Sequence, residues 1–127
     1  MSGDGATGSA PFLSAWFEIM DTDSPDRILD LISEDFEFSI LFSTGGDGAT
    51  DFHGGREAMI GYLTQRERGT RTHHALVTAS CGPDEFYLGE VRRGEEIEAS
   101  FVAQGRLDAA GRLRRFLIGR SSEIRFD

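Results

Sequence analysis

The segment DFEFSILFS, residues 35–43, is where the apolar residues of this chain change from helical spacing to alternation. Its large apolar side chains occupy every second position, namely Phe36, Phe38, Ile40 and Phe42. That period is typical of a β-strand with one buried face. A strand of this kind must bury its apolar face against another layer, and the flanking sequence predicts helices for that layer.

Two helices are predicted before this strand. Residues 11–20, PFLSAWFEIM, place four large side chains on one stripe at helical spacing, namely Phe12, Trp16, Ile19 and Met20. A second helix is predicted to begin at Pro25 with Ser24 as its N-cap, because proline suits the first helical position and serine suits the cap. Its buried side comprises Ile28, Leu29, Leu31 and Ile32.

The first ten residues are rich in Gly, Ser and Ala and predict a disordered tail ahead of a single domain that spans residues 11–127. Gly3, Gly5 and Gly8 match the GxGxxG dinucleotide signature by spacing. Because no strand precedes them and no apolar helix follows directly, a nucleotide site is not predicted there.

The sequence after the first strand predicts a short strand near Phe52, a third helix in REAMIGYLTQRE, and then a series of antiparallel strands. These strands are predicted near residues 72–81, 85–92, 96–108 and 112–124. The turn sequences GPD, RGE and DAAG separate them. Helices followed by hairpins indicate an α+β fold with the helices on one face of a curved sheet.

The composition restricts the classes of partner. The net charge is −9, which argues against binding to nucleic acid or to an anionic membrane. All 13 basic residues are arginine, which excludes a lysine Schiff base. The single cysteine, Cys81, allows no internal disulfide, and no signal peptide or bilayer-spanning segment is recognised. We therefore expect a cytoplasmic protein without membrane or nucleic-acid partners.

The order of these elements resembles the nuclear transport factor 2-like superfamily, in its SnoaL-like branch of polyketide cyclases and dehydratases. Three segments carry the resemblance over about residues 11–126: IMDTDSPDRILDLISEDFEF, FHGGREAMIGYL and GRLDAAGRLRRFLIGRS. It implies a cone-shaped, curved antiparallel sheet with three helices from the first half of the chain on its concave face, a cystatin-like α+β roll. It also implies an apolar pocket at the wide end and a homodimer packed through the outer face of the sheet.

The resemblance separates the chain from the ketosteroid isomerases of this superfamily. Trp16 stands where those enzymes have a tyrosine donor. Ile40 replaces their general base, and Ala103 replaces their second acid. Steroid isomerisation of that type is therefore not expected.

The dehydratase and dehydrochlorinase members instead imply an Asp–His pair, carried here by Asp21 and His74. A carboxylate on one imidazole nitrogen fixes the tautomer and raises the basicity of the other nitrogen. His73 and His74 must point to opposite faces of their strand, so only one faces the pocket, and a one-residue shift would exchange them. Arg120 or Trp16 would donate to a developing oxyanion. Trp16 replaces the dehydrochlorinase lysine, and Arg120 lies two residues beyond its arginine, so dehydrochlorination is not expected.

The remaining candidate ligand-binding residues are mostly apolar and face the predicted pocket. They are Trp16, Phe38, Ile40, Met59, Tyr62, Phe86, Glu90, Phe101, Phe116 and Ile118. Glu90 is expected inward with Phe86 and Leu88, where an internal ion pair with Arg120 is the alternative to ligand contact. No metal site is predicted, although His53 with Asp51 is the nearest approach to one.

These residues lead to two hypotheses. The first is a small-molecule enzyme of the lyase, isomerase or cyclase type, acting without a cofactor on a small apolar or polycyclic molecule. The second is a non-catalytic module of the same fold that binds a small ligand or dimerises. An Asp–His distance within about 3.5 Å, beside an open cavity, favours the enzyme. A cavity filled by aromatic side chains favours the module.

Overall fold

The structure is a computed structural model that describes residues 6–43, 51–65 and 71–126. Its elements are β1 (Ala6–Thr7), α1 (Pro11–Met20), a 3₁₀ helix (Pro25–Asp30), β2 (Ile32–Ser43), β3 (Phe52–Gly54), α2 (Arg56–Gln65), β4 (Thr72–Cys81), β5 (Asp84–Arg93), β6 (Glu96–Leu107) and β7 (Leu113–Ser121). The predicted α+β class is confirmed: the helices pack on the concave face of one curved sheet. Among the described residues, no helix has the length and apolarity needed to cross a membrane.

The strands form one seven-stranded sheet in the order β1–β4–β5–β6–β7–β2–β3. Adjacent strands are antiparallel except for β2 and β7, which run parallel with Phe38 opposite Phe116 and Ile40 opposite Ile118. The sheet was expected to be antiparallel throughout. Alternating side chains look the same in either orientation, so the sequence pattern could not reveal this junction.

The prediction of a disordered tail over residues 1–10 is wrong for residues 6–10. The backbone of β1 pairs with the end of β4, with Ala6 opposite Cys81 and Thr7 opposite Ser80. Ala10 is buried at the start of α1. Small residues can pair through backbone groups alone, and here they cover an otherwise open sheet edge. Residues 1–5, with two of the three tail glycines, lie outside the described residues.

Helix α1 lies across the concave face and is held at its start by a strand residue. Leu13, Trp16, Phe17 and Met20 are its buried residues. The Glu85 carboxylate on β5 accepts hydrogen bonds from the backbone N–H groups of Phe12, at 3.1 Å, and Leu13, at 2.8 Å. A carboxylate stabilises the first turn of a helix because the N–H groups there lack intrahelical partners.

The second predicted helix is a 3₁₀ helix of six residues, Pro25–Asp30. Pro25 occupies its first turn as expected, but the Ser24 side chain makes no capping hydrogen bond. Ile28 is fully buried and anchors this segment to the core. The strand that follows begins at Ile32, earlier than the alternation suggested.

The predicted facing of the fifth strand is wrong. Phe86 is 43% exposed on the outer face, whereas Tyr87 is buried on the concave face. Glu90, expected to share the pocket, lies on the same outer face as Phe86 because side chains alternate along the strand. The segment EFYLGEV has large side chains at both its odd and its even positions, so alternation alone could not decide which set points inward.

Candidate functional site

The site begins where α1 ends. Asp21 is the C-cap of α1, and its backbone N–H still donates to Phe17 O at 3.1 Å. Its carboxylate reaches β4 and makes two contacts with one residue. Oδ2 accepts the backbone N–H of His73 at 2.8 Å, and Oδ1 lies 2.6 Å from His73 Nδ1. The predicted acid at the end of the first helix therefore does meet a strand histidine.

The histidine in this contact is His73, not the predicted His74. His73 lies opposite Val91 on the concave face, whereas His74 lies opposite Glu90 on the outer face. His74 Nε2 is 2.8 Å from the Thr72 hydroxyl, so its ring has a local partner away from Asp21. The predicted pairing was one residue out of register, which in a strand reverses the face.

The Asp21–His73 pair is shielded from solvent but not sealed. The side chains of His73 and Asp21 are 15% and 18% exposed. Because the carboxylate is an acceptor, it holds the proton on Nδ1 and leaves the lone pair on Nε2. No hydrogen bond joins Nε2 to another residue in the described ranges. The arrangement provides an oriented base.

Aromatic rings fix the plane of this imidazole. The Phe17 ring lies 4.8 Å from the His73 ring centroid, and the Phe101 ring meets it edge-on at 5.4 Å. Phe101 was predicted as a ligand contact, and the structure places it against the histidine. Packing on two sides limits ring rotation, so Nε2 keeps its direction.

Tyr87 is a member of this cluster that the sequence did not identify. Its ring packs against Phe17 at 4.7 Å and stacks on Phe101 at 5.5 Å. Burial, followed by the nearby charge of Asp21, raises the pKa of Tyr87 to about 12. The phenol therefore stays neutral beside the carboxylate. The sequence could have identified Tyr87 only if the residues of β5 had been assigned to the correct faces of the sheet.

His73 lines a small apolar cavity between α1, α2 and the sheet. The described residues enclose about 30 Å³, which is room for about one water molecule. The wall residues are Trp16, Phe17, Met20, Ile40, Met59, Tyr62, His73, Phe116 and Ile118. Six of the predicted ligand contacts are therefore in the wall. Of the others, Phe38 is buried in the core, Phe86 is exposed on the outer face, and Glu90 is on that face of β5 but is buried, at 2% exposure.

The predicted pairing of Glu90 with Arg120 is wrong. Glu90 accepts a hydrogen bond from Arg92 Nε at 2.9 Å on the outer face. Arg120 reaches Glu98 at 3.4 Å, and Glu98 also binds Arg71 Nε at 2.6 Å. Burial lowers the pKa of the Arg120 guanidinium, and the Glu98 charge opposes that shift. Arg120 belongs to a charged cluster and interacts electrostatically with Tyr62 of the cavity wall.

The other polar candidates lie apart from this site. His53 on β3 and Asp51 before it are exposed, and Cys81 is exposed at the end of β4. Within residues 6–43, 51–65 and 71–126, no three His, Cys, Asp or Glu side chains are grouped as metal ligands.

Solved structures share this architecture. A candidate ketosteroid isomerase from Kribbella flavida superposes with a TM-score of 0.67 at 11% identity, over 92% of this chain and 80% of that one. The chain has the nuclear transport factor 2-like fold. IdmH, a candidate polyketide cyclase from Streptomyces antibioticus, gives a TM-score of 0.65 at 16% identity over 87% and 90% of the two chains.

A further structure with this fold is a candidate isomerase of the SnoaL-like family from Agrobacterium tumefaciens. Its TM-score is 0.65 at 8% identity, over 87% of this chain and 95% of that one. No protein-family model and no curated protein matches the sequence. The resemblance recognised in the sequence is thus confirmed at the level of the nuclear transport factor 2-like fold, and residue roles depend on the geometry of the site.

Proposed function

We propose that this protein is a small-molecule enzyme of the isomerase, cyclase or lyase type in which His73 is the general base. One observation carries the proposal. The Asp21 carboxylate binds both Nδ1 and the backbone N–H of His73, and His73 lines an apolar cavity. A carboxylate held at both positions orients the imidazole and stabilises its protonated form.

The reaction supported best is proton abstraction from a carbon acid in an apolar ligand. Neutral His73 takes the proton at Nε2, and Asp21 stabilises the imidazolium that forms. The protonated ring then returns the proton to another atom of the intermediate, or to the leaving group in an elimination. A positioned base of this kind contributes about 10²–10⁴ in rate. The wall is aromatic and aliphatic in character, and a small apolar or polycyclic substrate would have to widen the cavity well beyond its present volume of about 30 Å³.

The solved neighbours support this reaction class. Structures with the same fold are described as candidate ketosteroid isomerase and polyketide cyclase. Those names belong to those proteins, and at 11–16% identity the likeness shows the fold alone. The reaction class for this chain is our inference from the Asp21–His73 pair.

Hydrogen–deuterium exchange tests the base without knowledge of the natural substrate. Cyclohexanone and 2-tetralone are incubated with the protein in D₂O, and α-deuteration is followed by mass spectrometry. We expect exchange above the buffer rate with the wild type, and a loss of about 10²-fold or more in His73→Gln. His74→Gln is the matched control and should retain the wild-type rate. Equal rates in both variants and the wild type would refute the role of His73.

A second function is favoured by the size of the cavity. Aromatic and methionine side chains leave only about 30 Å³ among the described residues. This supports a non-catalytic module that binds a small ligand or dimerises. The same experiment separates the two functions, because a module would bind a ketone, detected by calorimetry, without accelerating exchange.

A further inference from the structure

Arg120 brings a positive charge to the concave face at the end of the cavity. It lies two residues beyond Ile118 on β7, and because side chains alternate along a strand, it shares the face of Ile118, which is part of the cavity wall. Arg120 pairs with Phe101 across the sheet, and the Phe101 ring meets His73 edge-on. It also interacts electrostatically with Tyr62 of the wall. Arg120 is therefore next to residues that form the wall and orient the proposed base.

Arg120 is one of three arginines that share a single carboxylate. Glu98 accepts two hydrogen bonds from Arg71, from Nε at 2.6 Å and from Nη2 at 3.2 Å. Arg120 Nη2 reaches the same carboxylate at 3.4 Å, and Arg93 Nη2 lies 3.8 Å from it. Arg71 takes both oxygens of Glu98 in the paired geometry that gives the strongest contact between a guanidinium and a carboxylate. The contact of Arg120 with Glu98 is the longer and weaker one.

Positive charge is crowded around Arg120. Its side chain is 15% exposed. Burial lowers the pKa of the Arg120 guanidinium and the charge of Arg71 lowers it further, whereas Glu98 opposes the shift. Because an arginine keeps its proton in a protein, this unfavourable energy remains in the folded state. A further anion beside Arg120 would relieve it, and a carboxylate has the planar pair of oxygens that matches a guanidinium.

We propose that Arg120 binds a carboxylate group of the ligand, and that the substrate is a small carboxylic acid with an apolar body. This assignment rests on the proposed function, because it places the ligand beside His73. The apolar body lies against the aromatic and aliphatic wall, and the carboxylate points along β7 from Ile118 toward Arg120. The charge selects an acid over a neutral molecule of the same shape, because only the acid forms an ion pair there.

Two probes of matched shape test this preference. Cyclohexanecarboxylate and cyclohexanecarboxamide have the same ring and differ in charge, and calorimetry at neutral pH measures the affinity of each. We expect the wild type to bind the carboxylate about 10-fold or more tightly than the amide, because hydrogen bonds between charged partners are about twice as strong as neutral ones. Equal affinities for the two probes would overturn the proposal, and so would a wild type that binds neither.

Substitutions of Arg120 separate charge from packing. Arg120→Gln removes the charge and should abolish the preference for the carboxylate while the affinity for the amide stays unchanged. Arg120→Lys keeps the charge and should keep part of the preference. Arg114→Gln is the matched control, since it removes an equal charge from an arginine bound to Asp35 at 3.1 Å near the start of β7, and it should behave as the wild type.

Two results with these variants would contradict the role of Arg120. One is a preference for the carboxylate that survives in Arg120→Gln. The other is an equal loss of affinity for both probes in Arg120→Gln, which would indicate damage to the cavity rather than the loss of an ion pair.

The two proposals fail separately. Binding of the probes needs no proton transfer and is measured in His73→Gln as well as in the wild type. A preference for the carboxylate that persists in His73→Gln, in a protein that exchanges no α-hydrogens, would support Arg120 and refute His73 as a base. Exchange that depends on His73, together with equal affinities for the two probes, would refute Arg120 and leave the base in place.

Discussion

At the residue scale, Glu98 shows how one carboxylate organises the charges near the site. It accepts Arg71 Nε at 2.6 Å and Arg120 at 3.4 Å, and Arg93 lies 3.8 Å away. The hydrogen bond from Arg71 is the main cause that holds the pKa of Glu98 below its ordinary value of 4.5. Glu98 is the extra residue of a β-bulge, because Val91 pairs with Ala99 and Arg92 with Ile97.

We predict that Glu98→Gln flattens the acid dependence of stability. A carboxyl with a lowered pKa in the folded state stabilises the protein above its unfolded pKa, and this contribution is lost as the pH falls through the folded pKa. The wild-type free energy of unfolding should therefore fall more steeply below pH 4.5 than that of the variant. Urea titrations at several pH values measure the slope. The exposed Glu95, changed to Gln, is the control, and equal slopes for wild type and Glu98→Gln would contradict the prediction.

At the element scale, Gly89 on β5 leaves space for the aromatic rings that pack beside the Asp21–His73 pair. A Cβ at Gly89 would lie 2.7 Å from both the His74 carbonyl oxygen and Tyr87 Cε1, and 2.9 Å from Phe101 Cε1. The missing side chain lets the Phe101 ring lie over the strand with its edge against His73. Close packing at this point thus links the backbone of β5 to the orientation of the imidazole.

We predict that Gly89→Ala lowers the free energy of unfolding by about 1–3 kcal/mol, because the added methyl group overpacks this cluster. Gly119→Ala is the matched control on β7, since its Cβ would meet nothing within 4 Å. It should change stability by no more than about 0.5 kcal/mol. Urea unfolding measures both variants. If Gly89→Ala is as stable as the wild type, the prediction is contradicted, because the rings of Tyr87 and Phe101 then accommodate the added methyl group.

At the scale of the whole molecule, the outer face of the sheet carries apolar side chains in solvent. Val77 is 60% exposed, Val102 54% and Leu117 49%. They lie on β4, β6 and β7. Leu88 on β5 lies between two of them, because it pairs with Val77 on β4 and with Val102 on β6. Apolar surface that spans several strands marks an interaction site. We propose that a second copy of the chain covers this face and forms a homodimer.

We predict that Val102→Glu yields a monomer, because a charge at the centre of an apolar interface is costly to bury. Sedimentation equilibrium should give twice the chain mass of 14.0 kDa for the wild type and the single-chain mass for the variant. Ile60→Glu places the same charge on exposed α2, away from the sheet, and should remain a dimer. A wild-type protein that sediments as a monomer would rule out this assembly.

Much of the fold was predictable because periodicity reports local backbone geometry. The segment Thr72–Cys81 was predicted as a strand with the bounds that the structure shows. The last strand was predicted to continue to residue 124 but ends at Ser121. The apolar stripe of PFLSAWFEIM predicted the first helix over residues 11–20, and the family resemblance placed the acid at Asp21, which is the C-cap of that helix.

The sequence by itself determined that this chain forms an α+β fold, and that His73 and His74 point to opposite faces of one strand. Only the tertiary structure decided that His73 is the one that meets Asp21, that Tyr87 rather than Phe86 is buried, and that Glu98 holds Arg120. The reason is physical. A period of two assigns residues to two faces but does not say which face is covered, and that choice depends on register, on β-bulges and on the position of α1 across the sheet.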